Sequence, residues 1–215
     1  MFRIKICGVR LKKDIDAVAR AGADAIGLNF VPSSIRYVDP STARQLSAQA
    51  AAAGIQRIGV FVNATACEIA SISDKVGLDA IQLHGDETTE LAGELIDDGR
   101  TIIRAINLPP DLTPDVIDDR CRPWIELGCH LLLDAESGGS GKCLDWQVVG
   151  QWAHSHRAIP WTLAGGLDGS NVGQAIQQSA ALSVDTASGA EEPRGTKSAE
   201  KIESFVKASQ RAFGG

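Results

Sequence analysis

Nowhere in the 215 residues does an apolar run approach the ~20 residues that a membrane-crossing helix needs. The opening segment Met1-Phe2-Arg3-Ile4-Lys5-Ile6-Cys7 alternates charge with isoleucine and lacks the continuous apolar core of a signal peptide. The expectation is therefore a cytoplasmic protein with no membrane partner. Concentrated basic charge is also missing: 21 Lys and Arg are scattered among 27 Asp and Glu, for a net charge of −6. A phosphate-backbone binder carries a basic face, so nucleic acid is not expected as a partner. A small anionic ligand stays open, because a pocket follows its local charges. The five cysteines (Cys7, Cys67, Cys121, Cys129, Cys143) are odd in number and include no C-x-x-C pair, which argues against a disulfide framework or a Cys-rich zinc site. Reduced thiols fit best. No linker, low-complexity stretch or self-similar repeat interrupts the chain, and an acidic surface without special features makes a monomer the default.

What is present is a rhythm. Short β-branched runs at 3–7, 25–30, 56–62, 80–84, 101–107, 129–135, 160–165 and 182–187 alternate with stretches carrying apolar residues at helical spacing, such as Ile15, Val18 and Ala19. Asp39-Pro40 reads as an N-cap followed by proline at the first helical position. Strict alternation forces parallel pairing, because each strand must return over a helix. Eight such units close into a (β/α)₈ TIM barrel, an α/β fold taken here as one domain over residues 1–215. The rival, an open doubly wound sheet, normally has a dinucleotide fingerprint after its first strand, and Cys7-Gly8-Val9-Arg10-Leu11 is not one.

Barrel active sites sit at the C-terminal strand ends, often with a phosphate site after strands seven and eight. Parity puts Lys5 and Cys7 on one face of strand one, opposite Ile4 and Ile6, which aims Cys7 at the barrel mouth. Strand six ends at Asp134 after three leucines, where a carboxylate needs polar company and partial desolvation suits it to donate a proton. Strands seven and eight end in Gly165-Gly166 and in Ser188-Gly189, so two neighbouring glycine-bearing ends let backbone N–H groups approach an oxyanion. Arg36, after strand two, is shaped for two-point carboxylate recognition. Gln82 and His84 share the inward parity of strand four and rank as ligand contacts. His154, His156, Cys67, Cys121 and Cys143 are read as non-catalytic. The glycine-rich turn Ser137-Gly138-Gly139-Ser140-Gly141-Lys142 proves little alone.

In this order, the pieces resemble the phosphoribosylanthranilate isomerase family of tryptophan biosynthesis. The resemblance runs through Lys5-Ile6-Cys7-Gly8, Gly27-Leu28-Asn29-Phe30, Ser34-Ile35-Arg36-Tyr37-Val38, Gly59-Val60-Phe61-Val62 and Ile81-Gln82-Leu83-His84-Gly85. It continues through Leu132-Leu133-Asp134, Gly138-Gly139-Ser140-Gly141 with Asp145-Trp146, Leu163-Ala164-Gly165-Gly166-Leu167 and Val184-Asp185 with Ser188-Gly189. It implies an Amadori rearrangement needing neither cofactor nor metal. On that resemblance Asp134 matches the general acid, Cys7 the general base and Arg36 the carboxylate holder. The glycines of strand seven and Ser188-Gly189 match the phosphate cradle, and Asp185 lies near the ribosyl hydroxyls. Lys5, one inward step from Cys7, is expected to favour the thiolate. The chain departs from the family at Ile35, where proline is usual, at Thr186-Ala187, where valine and serine are usual, and at Pro193-Arg194-Gly195-Thr196-Lys197.

Three rivals have less support. A ribulose-phosphate epimerase wants metal-binding His and Asp at strand ends, and a histidine-pathway isomerase is longer, with Asp where Cys7 stands. A silent phosphometabolite-binding barrel is expected to have lost the acid or the base.

Overall fold

The computed structural model describes residues 2–135 and 143–214, so the turn at 137–142 lies outside the described residues. Eight parallel strands hydrogen-bond in chain order, and the last closes on the first. They are β1 (Ile4–Cys7), β2 (Ala25–Asn29), β3 (Gln56–Phe61), β4 (Ala80–Leu83), β5 (Ile102–Leu108), β6 (His130–Ala135), β7 (Trp161–Leu163) and β8 (Val184–Thr186). Helices α1 (Lys12–Ala21), α2 (Pro40–Ala52), α3 (Ala66–Val76), α4 (Thr89–Asp97), α5 (Pro114–Glu126), α6 (Trp146–Ser155), α7 (Val172–Ser179) and α8 (Ala199–Gly214) follow them one for one. A short 3₁₀ turn, Ser188–Ala190, precedes α8. The barrel expected from the alternation is the fold observed.

Local chemistry sets the helix starts and stops. Asp39 caps α2 by accepting from the N–H groups of Ser41 and Thr42, with Pro40 at the first helical position. Thr65 and Glu68 form a reciprocal capping box on α3. Gly22 and Gly77 end α1 and α3 in the left-handed conformation, which costs glycine no Cβ clash.

Strand parity divides the apolar residues into two cores. Ile4, Ile6, Ile26, Leu28, Leu131 and Leu133 face outward and pack under the helices. Phe2, Ala25, Ile58, Ala80, Ile103, Ala105, Leu132 and Ala164 fill the barrel interior. The interior is small and also holds Lys5, Gln82, His130, Thr162 and Asp185, all buried. These buried polar groups need partners, and finding them locates the site.

Five strands end before the sequence pattern does: residues 30, 62, 84, 164–165 and 187 lie just beyond the ladders. The cause is local. Gly165 and Gly166 turn at φ +84° and +65°, which breaks β7 after Leu163 and Ala164. After β4, Gly85 N donates to Glu87, whose carboxylate also takes Asn63 N and Arg104 Nη1 at 2.7 Å each. His84 N still donates to Phe61 O at 2.9 Å, and the chain leaves the sheet after it. The residues singled out as strand ends therefore occupy the first loop positions at the mouth.

Candidate active site

At the mouth, β1 meets β8 in register, Lys5 opposite Asp185. Lys5 Nζ donates to Asp185 Oδ1 at 3.0 Å, with the lysine side chain wholly buried. Burial pushes the Lys5 ammonium down, but Asp185 and the Cys7 sulfur outweigh it and its net shift is upward. Cys7 sits two residues on, with Gly27 as its β2 neighbour. A Cβ at Gly27 would lie 2.6 Å from Cys7 Sγ, so the missing side chain makes room for the thiol. Burial pushes the Cys7 thiol up, Lys5 and Lys197 pull it down, and Asp185 pushes it up again. The net direction is upward, and the thiol lies beside a buried ammonium.

Across the barrel, Asp134 Oδ1 accepts from Ala135 N at 2.8 Å, and its Oδ2 faces His84 Nε2 at 3.5 Å. Gln82 Nε2 donates to His84 Nδ1 at 2.9 Å, which leaves the ring proton on Nε2, directed at Asp134. Gln82 itself is only 1% exposed. Its place is behind His84, where it orients that ring, rather than at the surface of the site where a ligand contact was expected. Gly165 passes so close that a Cβ would meet Ala135 N at 2.8 Å and Asp134 Oδ1 at 3.0 Å.

A cleft lined by Asp134, Ala164, Gly165, Gly166, Leu167, Asp185, Thr186, Ala187 and Ser188 joins the strand-six carboxylate to the glycine ends of strands seven and eight. Gly189 is not among its walls; it packs onto Leu167, whose carbonyl oxygen lies 2.0 Å from where its Cβ would be. Thr186 turns its hydroxyl inward, donating to Leu167 O at 2.6 Å, so this departure serves the loop connection. Cys143, set aside in the sequence, also reaches this rim, with Sγ 3.6 Å from Gly166 O. Among the described residues, no group of three His, Cys, Asp or Glu is arranged to hold a metal ion.

Arg36 reads from sequence as a ligand-facing or surface arginine, but it has a protein partner. Its Nε and Nη2 donate to Glu191 Oε1 and Oε2 at 2.6 and 2.8 Å. Its stem lies on Gly8, where a Cβ would come 2.6 Å from Arg36 Cδ. Ile35 leaves this loop well anchored: Arg10 Nη1 donates to Ile35 O at 2.8 Å, and Arg36 N to Ser34 Oγ at 3.1 Å. Sequence reasoning missed Glu191 and the Glu87–Arg104 pair. Only the proximity of Glu191 to the strand-eight end pointed to it.

The fold and the placement of these groups define a (β/α)₈-barrel enzyme with an acid and a thiol at its C-terminal mouth. Comparison with known proteins narrows the class. The family described as PRAI, N-(5'-phosphoribosyl)anthranilate (PRA) isomerase, matches residues 4–208. The N-(5'-phosphoribosyl)anthranilate isomerase of Acinetobacter calcoaceticus is 41% identical over 213 residues, covering 97% of this chain and 96% of that protein. A crystal structure of phosphoribosyl anthranilate isomerase in complex with reduced 1-(o-carboxyphenylamino)-1-deoxyribulose 5-phosphate superposes with a TM-score of 0.83 at 31% identity. It covers 98% of this chain and all of that one. Monomers generated from the dimeric Thermotoga maritima isomerase give a TM-score of 0.82, also at 31% identity, over 98% and 100% of the two chains. The chain belongs to the N-(5'-phosphoribosyl)anthranilate isomerase family and is an isomerase. No helix among the described residues is long and apolar enough to cross a membrane.

Proposed function

We propose that the chain converts N-(5'-phosphoribosyl)anthranilate to 1-(2-carboxyphenylamino)-1-deoxyribulose 5-phosphate, the isomerase step of tryptophan biosynthesis, as a cytoplasmic enzyme without a cofactor. The observation that carries this reading is the pairing, across one small mouth, of a carboxylate held by His84 with a thiol held beside a buried lysine. An Amadori rearrangement needs one acid and one base and no net oxidant. Asp134 in its protonated form gives a proton to the ribose ring oxygen, the C1–O bond breaks, and a Schiff base forms at C1. Cys7 as the thiolate removes the C2 proton, giving an enolamine that tautomerises to the ketone.

The two ends of the substrate are charged, and holding both places C1 and C2 between the two groups. Gly165, Gly166 and Ser188 form the phosphate end, where bare backbone N–H groups face the anion. Arg36 takes the anthranilate carboxylate. His84, oriented by Gln82, positions Asp134. Asp185 holds Lys5, and Lys5 steadies the thiolate once the proton has left. A monomer is the expected state; a light-scattering mass of twice the chain would replace it with a dimer like that of the Thermotoga relative.

The test mixes purified protein with freshly generated phosphoribosylanthranilate and follows loss of anthranilate fluorescence, with Cys7→Ala and Asp134→Asn alongside. Each variant should stay folded and lose on the order of 10²–10⁴ in kcat. A wild-type rate in either variant removes that residue from its role. No turnover by folded wild-type protein removes the reaction itself.

A further inference from the structure

Arg36 and Glu191 come from loops 155 residues apart in sequence, after β2 and β8. Glu191 is 5% exposed, and each of its carboxylate oxygens has two donors. Oε1 accepts from Arg36 Nε and, at 2.9 Å, from Lys197 Nζ. Oε2 accepts from Arg36 Nη2 and, at 2.9 Å, from Gly195 N. Lys197 Nζ also donates to Ala187 O at 2.8 Å, and Lys201 Nζ to Glu191 O at 3.0 Å. The carboxylate is thus anchored by its own loop whether or not Arg36 is there. The arginine docks on the glutamate, and not the reverse.

This docking decides what Arg36 has left to offer. A guanidinium has five N–H donors, and Glu191 takes Nε–H and one hydrogen of Nη2, the side-on pair. The three that remain lie on Nη1 and Nη2, the end-on pair, which suits one further carboxylate in two-point contact. The stem cannot swing freely, because it rests on Gly8 (φ +78°), the residue following Cys7.

We propose that Glu191 is a positioning residue for the carboxylate of the substrate: it occupies the side-on edge of Arg36 and fixes the end-on edge as the receptor for an aromatic acid beside Cys7. The proposal rests on the reading of Arg36 as the carboxylate holder. It makes specificity for the acid a joint property of two loops, of which only one touches the ligand.

The test compares two inhibitors, the reduced carboxyphenylamino-deoxyribulose phosphate and its phenylamino counterpart without the carboxylate, on wild type, Glu191→Gln and Arg36→Met. Glu191→Gln should weaken the carboxylate-bearing analogue by roughly ten- to a hundredfold, leave the other unchanged, and raise KM with kcat held within a few-fold. Equal weakening of both analogues would make Glu191 a merely structural residue and overturn the proposal. Tighter binding of the carboxylate analogue would make Glu191 a plug that the substrate displaces, and would also overturn it. If Arg36→Met binds both analogues as wild type does, the reading of Arg36 itself fails, and that outcome is distinct from the other two. Should Glu191→Gln not fold with the Lys197 ammonium left buried without its carboxylate, the double variant Glu191→Gln/Lys197→Met carries the same comparison, with the same outcomes deciding.

Discussion

The foot of the barrel offers a prediction whose size follows from one buried ring. His130 begins β6 inside the barrel, 4% exposed, with Nε2 2.7 Å from Thr162 Oγ1 and its ring 5.9 Å from that of Phe2. Thr162 Oγ1 in turn lies 2.9 Å from Ser183 Oγ. Burial holds the imidazole at about 4, against about 6.5 for the unfolded chain. Between these values the unfolded chain binds the proton and the folded one does not, so stability rises with pH across the window. The neutral ring's contribution is complete above about pH 6.5 and is lost as pH falls towards 4. At about 1.4 kcal/mol per pKa unit the loss is about 2 kcal/mol by about pH 5 and about 3 kcal/mol by about pH 4. That is a large part of a typical domain's stability of about 5–15 kcal/mol. Urea unfolding of wild type and His130→Gln from about pH 7 to about pH 4 isolates this group, because the other titrations cancel in the difference. The gap between the two proteins should change by about 3 kcal/mol, in the direction that favours the variant at low pH. A pH-independent gap would refute the argument that this ring is held neutral by burial. Activity near neutral pH should persist in the variant, since the ring is at the opposite end from the mouth.

Further predictions concern the mouth. Lys5→Met removes the strongest downward pull on the Cys7 thiol, so its thiolate absorbance titration, and the alkaline limb of kcat/KM, should move to higher pH. An unmoved titration would dismiss the lysine. Gly27→Ala places a methyl 2.6 Å from Cys7 Sγ and should cut kcat by at least about tenfold, while Gly93→Ala in α4, with nothing within 4 Å of its Cβ, keeps the wild-type rate. Equal rates in the two variants would contradict the close packing at Cys7. His84→Ala removes the partner of Asp134 Oδ2 and should lower kcat by about tenfold or more, with KM less affected. Gln82→Leu, which frees the ring without removing it, should lower kcat by a smaller factor in the same assay.

The barrel and much of its mouth were legible because both are written in period. Alternation along Lys5-Ile6-Cys7 and His130-Leu131-Leu132-Leu133-Asp134 assigns each side chain a face with no knowledge of its neighbours, and the two apolar cores follow those faces. Partners across the barrel have no such period. Arg36 could be seen as a carboxylate binder, but nothing local to it announces Glu191, because the contact depends on how two loops fold over the rim. Gln82 has the inward parity of a ligand contact, and only depth, set by β4 ending at Leu83, puts it behind His84. Glu87 and Arg104 are ordinary surface residue types that become a buried pair through the pairing of β4 with β5.

The pairing of Lys5 with Asp185 spans 180 positions, from the first strand to the last. It lies on the seam where the cylinder shuts, and loop-closure entropy opposes a contact between groups so distant in the chain until the intervening units have folded. While the protein is being synthesised, β1 emerges early and waits for β8. Throughout that interval the lysine has no carboxylate opposite it, and the thiol lies on an open sheet edge instead of in a dry pocket. Chemical competence therefore arrives with the last turn of assembly. A partly made or partly unravelled chain holds a cysteine and an aspartate, but the two come to one mouth only when the barrel has closed.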